Sequence, residues 1–206
     1  MLTFVRELRE TLVRSGRYDA YLTRNSDVFV PLPERVAIAR RNGADIFLSF
    51  HADALTEGRA TGATVYSLSS QASDEASELL AQRLNRHELL AGVDLGRAED
   101  AVATALMDMA RREALPRSER LADHLVSGLS QRLGRMNKAS RLEADFAVLR
   151  APDIPSVLVE LGFVTSPDDL ENLLTPEWRT LAAQGIIAAL DAWTLEDAAL
   201  AVLIRQ

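Results

Sequence analysis

Ala44-Asp45-Ile46-Phe47-Leu48-Ser49-Phe50-His51-Ala52-Asp53 is the stretch on which the reading of the fold turns. Ile46 to Phe50 is a short, nearly unbroken run of bulky apolar residues, too short for a free-standing helix. Such a run reads as a strand buried on both faces of a parallel sheet. It closes on His51, and Asp53 follows at the start of small and polar loop residues. In open α/β sheets chemistry collects just beyond the carboxyl ends of the strands, which is where His51 falls. A lone histidine there is as readily structural as a ligand, so the rest of the chain has to decide.

The bulk properties narrow the classes. At 206 residues the chain is one ordinary domain, with 48% hydrophobic and 26% charged residues, the balance of a globular protein. A net charge of -7 and a pI near 5.1 disfavour a nucleic-acid partner. No apolar run approaches the roughly 18 residues of a membrane helix, so no membrane insertion is expected. The absence of cysteine excludes disulfides and thiolate metal sites.

Outward from the central stretch, helix and strand alternate. Leu2, Val5, Leu8 and Leu12 form one stripe of a helix that Ser15-Gly16 stops near Arg14. No signal peptide is expected, since the chain goes straight into this pattern. An α/β domain ordinarily opens on a strand, so a start inside a helix predicts a chain cut at its N-terminus. Tyr18 to Thr23 reads as a strand, and Pro33 opens a helix that Asn42-Gly43 ends. This rhythm predicts parallel strands joined by crossovers.

Past His51, Ala63 to Leu68 reads as a strand. Helices are then expected over about 71–86, 100–113 and 117–133, the second and third separated by Pro116. The whole stretch 69–144 is too long a detour between strands and reads as a helical insertion. Phe146 to Leu149 and Ser156 to Glu160 resume as strands. Ser166-Pro167-Asp168-Asp169 caps a helix, and Thr175-Pro176-Glu177 opens another through Leu190. Residues 193–206 are expected as a C-terminal tail, with Thr194 as an N-cap. The fold class is thus α/β, a mainly parallel sheet with helices on both faces and a helical insertion between strands.

Glu160 closes Val157-Leu158-Val159 as His51 closes its own run. A charge at the end of an apolar strand is costly to bury unless paired, bound to metal or at the sheet rim. A strand-end glutamate that merely reaches solvent is the plain alternative. A histidine and a glutamate at two strand ends of one sheet favour a site. Imidazole suits zinc, and a nearby carboxylate suits a general base for a metal-activated water.

Leu22-Thr23-Arg24, Asp27, Leu32 with Arg35, Ala44-Asp45 and Leu48 to Asp53 fall in an order and spacing that resemble the zinc-dependent N-acetylmuramoyl-L-alanine amidases. So does Phe146 to Phe163. The long helical segment, with Gly92-Val93-Asp94-Leu95, resembles the Gram-negative cell-division branch. The resemblance covers 1–192 and implies a catalytic domain with one zinc ion that cleaves the amide between N-acetylmuramic acid and L-alanine in peptidoglycan. It implies that His51 is a zinc ligand and Glu160 the catalytic glutamate. It also implies a periplasmic location, a role in cell-wall remodelling and daughter-cell separation, and control by a LytM-type activator. A helix of the insertion, with Gln82, Asn85 and Glu88, is then the expected autoinhibitory element.

The family's first strand, its Gly-His-Gly-Gly-like loop and the next glutamate ligand have no counterpart in this sequence. Met1-Leu2 aligns just past that glutamate, while Glu7 and Glu10 are expected to point away from the site. His87 and His124 match no ligand motif. The alternative reading is a metal-free, non-catalytic domain that binds peptidoglycan or a division partner. An unrelated serine hydrolase ranks below both, because no Gly-x-Ser-x-Gly turn is present.

Overall fold

In a computed structural model, which describes residues 1–54, 60–90 and 101–204, four strands form one sheet in the order β1-β4-β2-β3. The strands are β1 (Phe47–His51), β2 (Ala63–Leu68), β3 (Met136–Ala144) and β4 (Ser156–Glu160). β1 pairs parallel with β4, and β2 parallel with β3, whereas β2 and β4 are antiparallel. The sheet is therefore mainly parallel. Every residue of β4 is buried, as its apolar run requires.

Alternation along the strands divides the core into two layers. Val65, Val157 and Val159 face the helices α1 (Leu2–Arg14), α4 (Ala101–Leu133) and α6 (Pro176–Ile204). Phe4, Leu8, Leu121, Leu125, Leu129 and Ile186 fill that layer, each worth about 1.5–3 kcal/mol of burial. Phe47, Tyr66 and Leu158 face the other way, toward α2 (Leu32–Arg41) and α3 (Glu75–Leu90). Leu80, Phe146, Val148 and Leu149 complete this second layer, and Tyr66 meets Phe146 edge-on at 5.2 Å. Helices thus cover both faces.

α4 and α6 cross at a pair of glycines. A Cβ on Gly128 would lie 2.3 Å from the carbonyl oxygen of Gly185, so only glycine permits this approach. Residues 193–204, expected as a tail, continue α6 without a break. The reason is tertiary. Trp193 is buried under Arg117, and Asp197 takes both a 2.8 Å and a 3.0 Å hydrogen bond from the same guanidinium. Thr194 bonds back to Leu190 O inside the helix and caps nothing.

Other elements depart from expectation for local reasons. Pro116 lies inside α4 and does not separate two helices. The turn around it is held by buried Ala114, with Ser118 donating to Ala114 O at 2.9 Å. Phe146 to Leu149 ends in a 3-10 turn, Ala147–Leu149, that sinks Val148 and Leu149 into the second layer. β3 arises where only insertion was expected; its Lys138, Arg141 and Glu143 hide the strand pattern. α5 (Pro167–Leu174) starts as foreseen, Asp169 N donating to Ser166 Oγ.

Tyr18 to Thr23 is not a strand. Side chains hold it instead: Tyr18 donates to Asp191 at 2.7 Å, and Arg9 to Ala20 O at 2.9 Å. Between this segment and β1 runs a groove of about 1240 Å³, lined by both layers. β1 pairs on one side alone among the described residues, so Leu48 and Phe50 are half-buried and not enclosed.

Candidate active site

β1 and β4 end together, with His51 opposite Glu160 in the register. Because β2 is antiparallel to β4, its first residues lie beside the same end, and Thr64 is opposite Glu160 on the other side. Phe47, Leu158 and Tyr66 belong to the α2–α3 layer, so the alternation turns His51, Glu160 and Thr64 to that same face. The loop after β1 returns over the strand ends. Leu161 N donates to His51 O, and Val164 N donates to Asp53 O, both at 3.0 Å.

This folding brings His51, Asp53 and Glu160 together, each with one ligand atom within 4.8 Å of the others. Asp53 N donates to Glu160 Oε1 at 2.6 Å, and a ring nitrogen of His51 lies 3.0 Å from Ser49 Oγ. His51 Nδ1 is 3.8 Å from Asp53 Oδ2, outside hydrogen-bond range. Two oxygens, Asp53 Oδ2 and Glu160 Oε2, are buried without a partner. Buried polar atoms are seldom left so, and each such atom asks what completes it.

The electrostatics agree. Burial pushes the Glu160 carboxyl well above the usual carboxylate range, and the Asp53 charge pushes it further, against the Asp53 N–H bond. Burial pulls His51 below its ordinary value; Asp53 opposes this and Arg35 adds to it. His51 is thus a neutral imidazole at neutral pH, the form that binds a metal. A neutral nitrogen and carboxylates with unpartnered oxygens are donors that suit a divalent cation; with Glu160 kept as a base, His51 and Asp53 supply two of the about three protein ligands of a catalytic zinc.

The family model for N-acetylmuramoyl-L-alanine amidase (Amidase_3) matches residues 1–192. The chain belongs to the N-acetylmuramoyl-L-alanine amidase family.

Within that family, the amidase AmiC of Neisseria meningitidis serogroup B is 38% identical over 194 residues, 94% of this chain and 46% of that one. AmiC of Escherichia coli O6:H1 is 36% identical over 207 residues, 98% of this chain and 48% of that one. The chain therefore spans about half the length of these relatives. Among solved structures, the CwlD amidase of Clostridioides difficile in complex with the GerS lipoprotein superposes with a TM-score of 0.65. It is 17% identical, with 94% of this chain and 83% of that chain covered, a likeness of fold.

The other residues singled out by sequence divide clearly. Glu7 pairs with Arg179 at 2.7 Å and Glu10 with Arg14 at 3.9 Å, both away from the site. His124 pairs with Glu196 at 2.5 Å on the α4–α6 seam, and the side chain of His87 lies outside the described residues. On α3, Gln82 turns to Glu78 of its own helix. Asn85 donates to Asp145 O at 2.7 Å and accepts from Ala147 N at 2.8 Å. The side chain of Glu88 lies outside the described residues. Arg83, one turn before, donates to Ala54 O, in the loop that carries Asp53. Sequence reasoning gave Asp53 and Thr64 no role. The two-residue step from His51 to Asp53 was visible; the placement of Thr64 was not, because it depends on antiparallel pairing across the sheet.

Proposed function

We propose that this chain is the catalytic domain, over 1–192, of a peptidoglycan hydrolase that cleaves the amide between N-acetylmuramic acid and L-alanine. The observation that carries the reading is the register pairing of His51 with Glu160, with a buried unpartnered oxygen on Glu160 and another on Asp53 beside them. Family membership supplies the substrate class.

In this reading Glu160 is the general base and His51 the nitrogen ligand, with Asp53 as the adjacent carboxylate donor. Zinc held there supplies a Lewis acid that polarises the lactyl carbonyl and acidifies water. Asp53 N–H fixes Glu160 Oε1, which leaves Oε2 to take the proton of the attacking water. As the water oxygen bonds to the carbonyl carbon and the C–N bond breaks, Glu160 passes that proton to the departing nitrogen. The products are the lactyl carboxylic acid and the free α-amine of L-alanine. Burial keeps the proton affinity of Glu160 high, which suits the second transfer.

The same reading sets the work in the periplasm, in cell-wall remodelling and daughter-cell separation. No helix among the described residues is long and apolar enough to cross a membrane. Regulation falls to α3, with Gln82, Asn85 and Glu88, as an autoinhibitory element relieved by a LytM-type activator. The Arg83 contact with Ala54 O supports it, because it ties α3 to the loop that carries Asp53.

A second reading, a metal-free domain that binds peptidoglycan without cutting it, draws on His51 being the sole histidine in the cluster. Zinc analysis of the purified chain, with and without His51→Ala, separates the two when run beside hydrolysis of purified peptidoglycan. Two of the family's ligands lack a counterpart in this sequence, so the enzyme reading expects far less than one zinc per chain. What zinc there is should be lost in His51→Ala, and new L-alanine amines should be released in proportion to the zinc held. Peptidoglycan binding with neither zinc nor amine release would leave the second reading.

A further inference from the structure

We propose that Thr64 is a positioning residue for Glu160, its hydroxyl donating to Glu160 Oε2 in the working enzyme. This rests on the reading of Glu160 as the general base. Three observations carry it.

Thr64 and Glu160 are direct partners across the antiparallel β2–β4 pair and face the same layer. Opposed residues in such a pair have Cβ atoms only about 4.5–5.5 Å apart, within reach of a hydroxyl and a carboxylate. Second, each carries a buried oxygen without a partner: Thr64 Oγ1 and Glu160 Oε2. Thr64 is 1% exposed and Glu160 0%. A hydroxyl placed there only to fill space would be better replaced by valine, which has the same shape and no polar atom to bury.

The third observation is a clamp that fixes the two strand ends relative to each other. Asp169 Oδ2 accepts from Gly62 N and from Phe163 N, both at 3.0 Å. Gly62 is two residues before Thr64, and Phe163 three after Glu160. Gly62 holds a φ of +82°, and a Cβ there would meet Asn137 N at 2.8 Å, so this anchor cannot drift. With the backbones held, the remaining freedom is side-chain rotation. Asp53 N–H already holds Glu160 Oε1 from the β1 side. Thr64 stands on the opposite side, where a second donor would aim the carboxylate and keep its lone pair directed at the substrate.

The test uses the full chain with Thr64→Val and Thr64→Ser, assayed on purified peptidoglycan. Thr64→Val should lower kcat roughly 10-fold, the scale of one lost hydrogen bond, with KM unchanged. Its Tm should hold or rise, and Thr64→Ser should restore kcat. The carbon-13 signal of the Glu160 carboxyl, assigned by its loss in Glu160→Gln, should move in Thr64→Val and return in Thr64→Ser. A Thr64→Val variant with unchanged kcat, or an unmoved carboxyl signal, overturns the proposal. So does a fall in Tm and activity together that serine does not restore. If the parent hydrolyses nothing, the hydrolase reading falls and the general-base role with it, and the carboxyl signal alone then decides whether Thr64 bonds Glu160.

Discussion

The strand-end cluster and the α4–α6 seam both bring ionisable groups into partly or wholly buried surroundings, and they treat them in opposite ways. At the seam, Arg117 makes paired bonds to Asp197 and stacks on Trp193 at 5.6 Å, while Trp193 Nε1 donates to Arg117 O. Arg120 adds a 3.6 Å contact to Asp197, its Nε being, among the described residues, the one seam atom buried without a partner. At the strand ends, Asp53, Glu160 and Thr64 each leave an oxygen unpartnered, Glu160 being the cross-strand partner of Thr64 and bonded by Asp53 N. Satisfied charges hold two helices together. Unsatisfied ones cost stability and mark where the working site forms its remaining contacts.

The largest test of that contrast is Glu160→Gln. Hydrolysis should fall by about 10²–10⁴-fold, the usual cost of a positioned acid–base group. Stability should move the other way. The folded pKa of Glu160 lies above its unfolded value, so the native state retains a proton that the unfolded chain has lost. In chelator-treated protein, wild-type stability from this group should decline as pH rises from the ordinary glutamate value through the raised one. Glu160→Gln should lack that decline and melt higher at neutral pH. Equal pH dependence of Tm in the two proteins would remove the claim that Glu160 is under strain.

Gly128→Ala tests the seam from its tightest point. Its Cβ would press on Gly185 O at 2.3 Å and Ala189 Cβ at 3.0 Å, and backbone cannot yield as a side chain does. The helices should separate at a cost of about 1–3 kcal/mol, a Tm drop of roughly 2–12 °C, with hydrolysis per folded molecule unchanged. A loss of turnover without a loss of Tm would mean that the seam and the site are coupled.

The smallest effect sharpens the comparison at the surface. Arg40 holds the Asp153 carboxyl below its usual range through bonds of 2.7 and 2.9 Å. A depressed carboxylate pKa adds stability that is present above the unfolded value, about 3.9, and lost as pH falls through the folded one. Both side chains are 43% exposed, so the contribution is under about 1 kcal/mol. Asp153→Asn should melt slightly lower than wild type at neutral pH, and the gap should close as pH falls through the lowered folded value. A gap that persists at low pH would show that Asp153 acts through something other than its charge.

Much of this molecule is determined by its sequence alone. The apolar runs ending in His51 and Glu160 specify strands, since such short runs of bulky and β-branched residues have few other solutions. The stripe Phe4, Leu8, Leu12 and the Ser166-Pro167 cap fix α1 and α5 by local chemistry. His51 and Glu160 were legible as a pair because each breaks an apolar run at its end. Tertiary structure decided what local pattern leaves open. Tyr18 to Thr23 has strand-forming residues but, among the described residues, no strand pairs with it, and it stays irregular. Trp193 carries α6 to Ile204 because Arg117 and Asp197 meet there from separate helices. Thr64 stands beside Glu160 only because β2 runs antiparallel to β4. A strand's direction in its sheet is set by how the layers pack, and no residue within the strand records it.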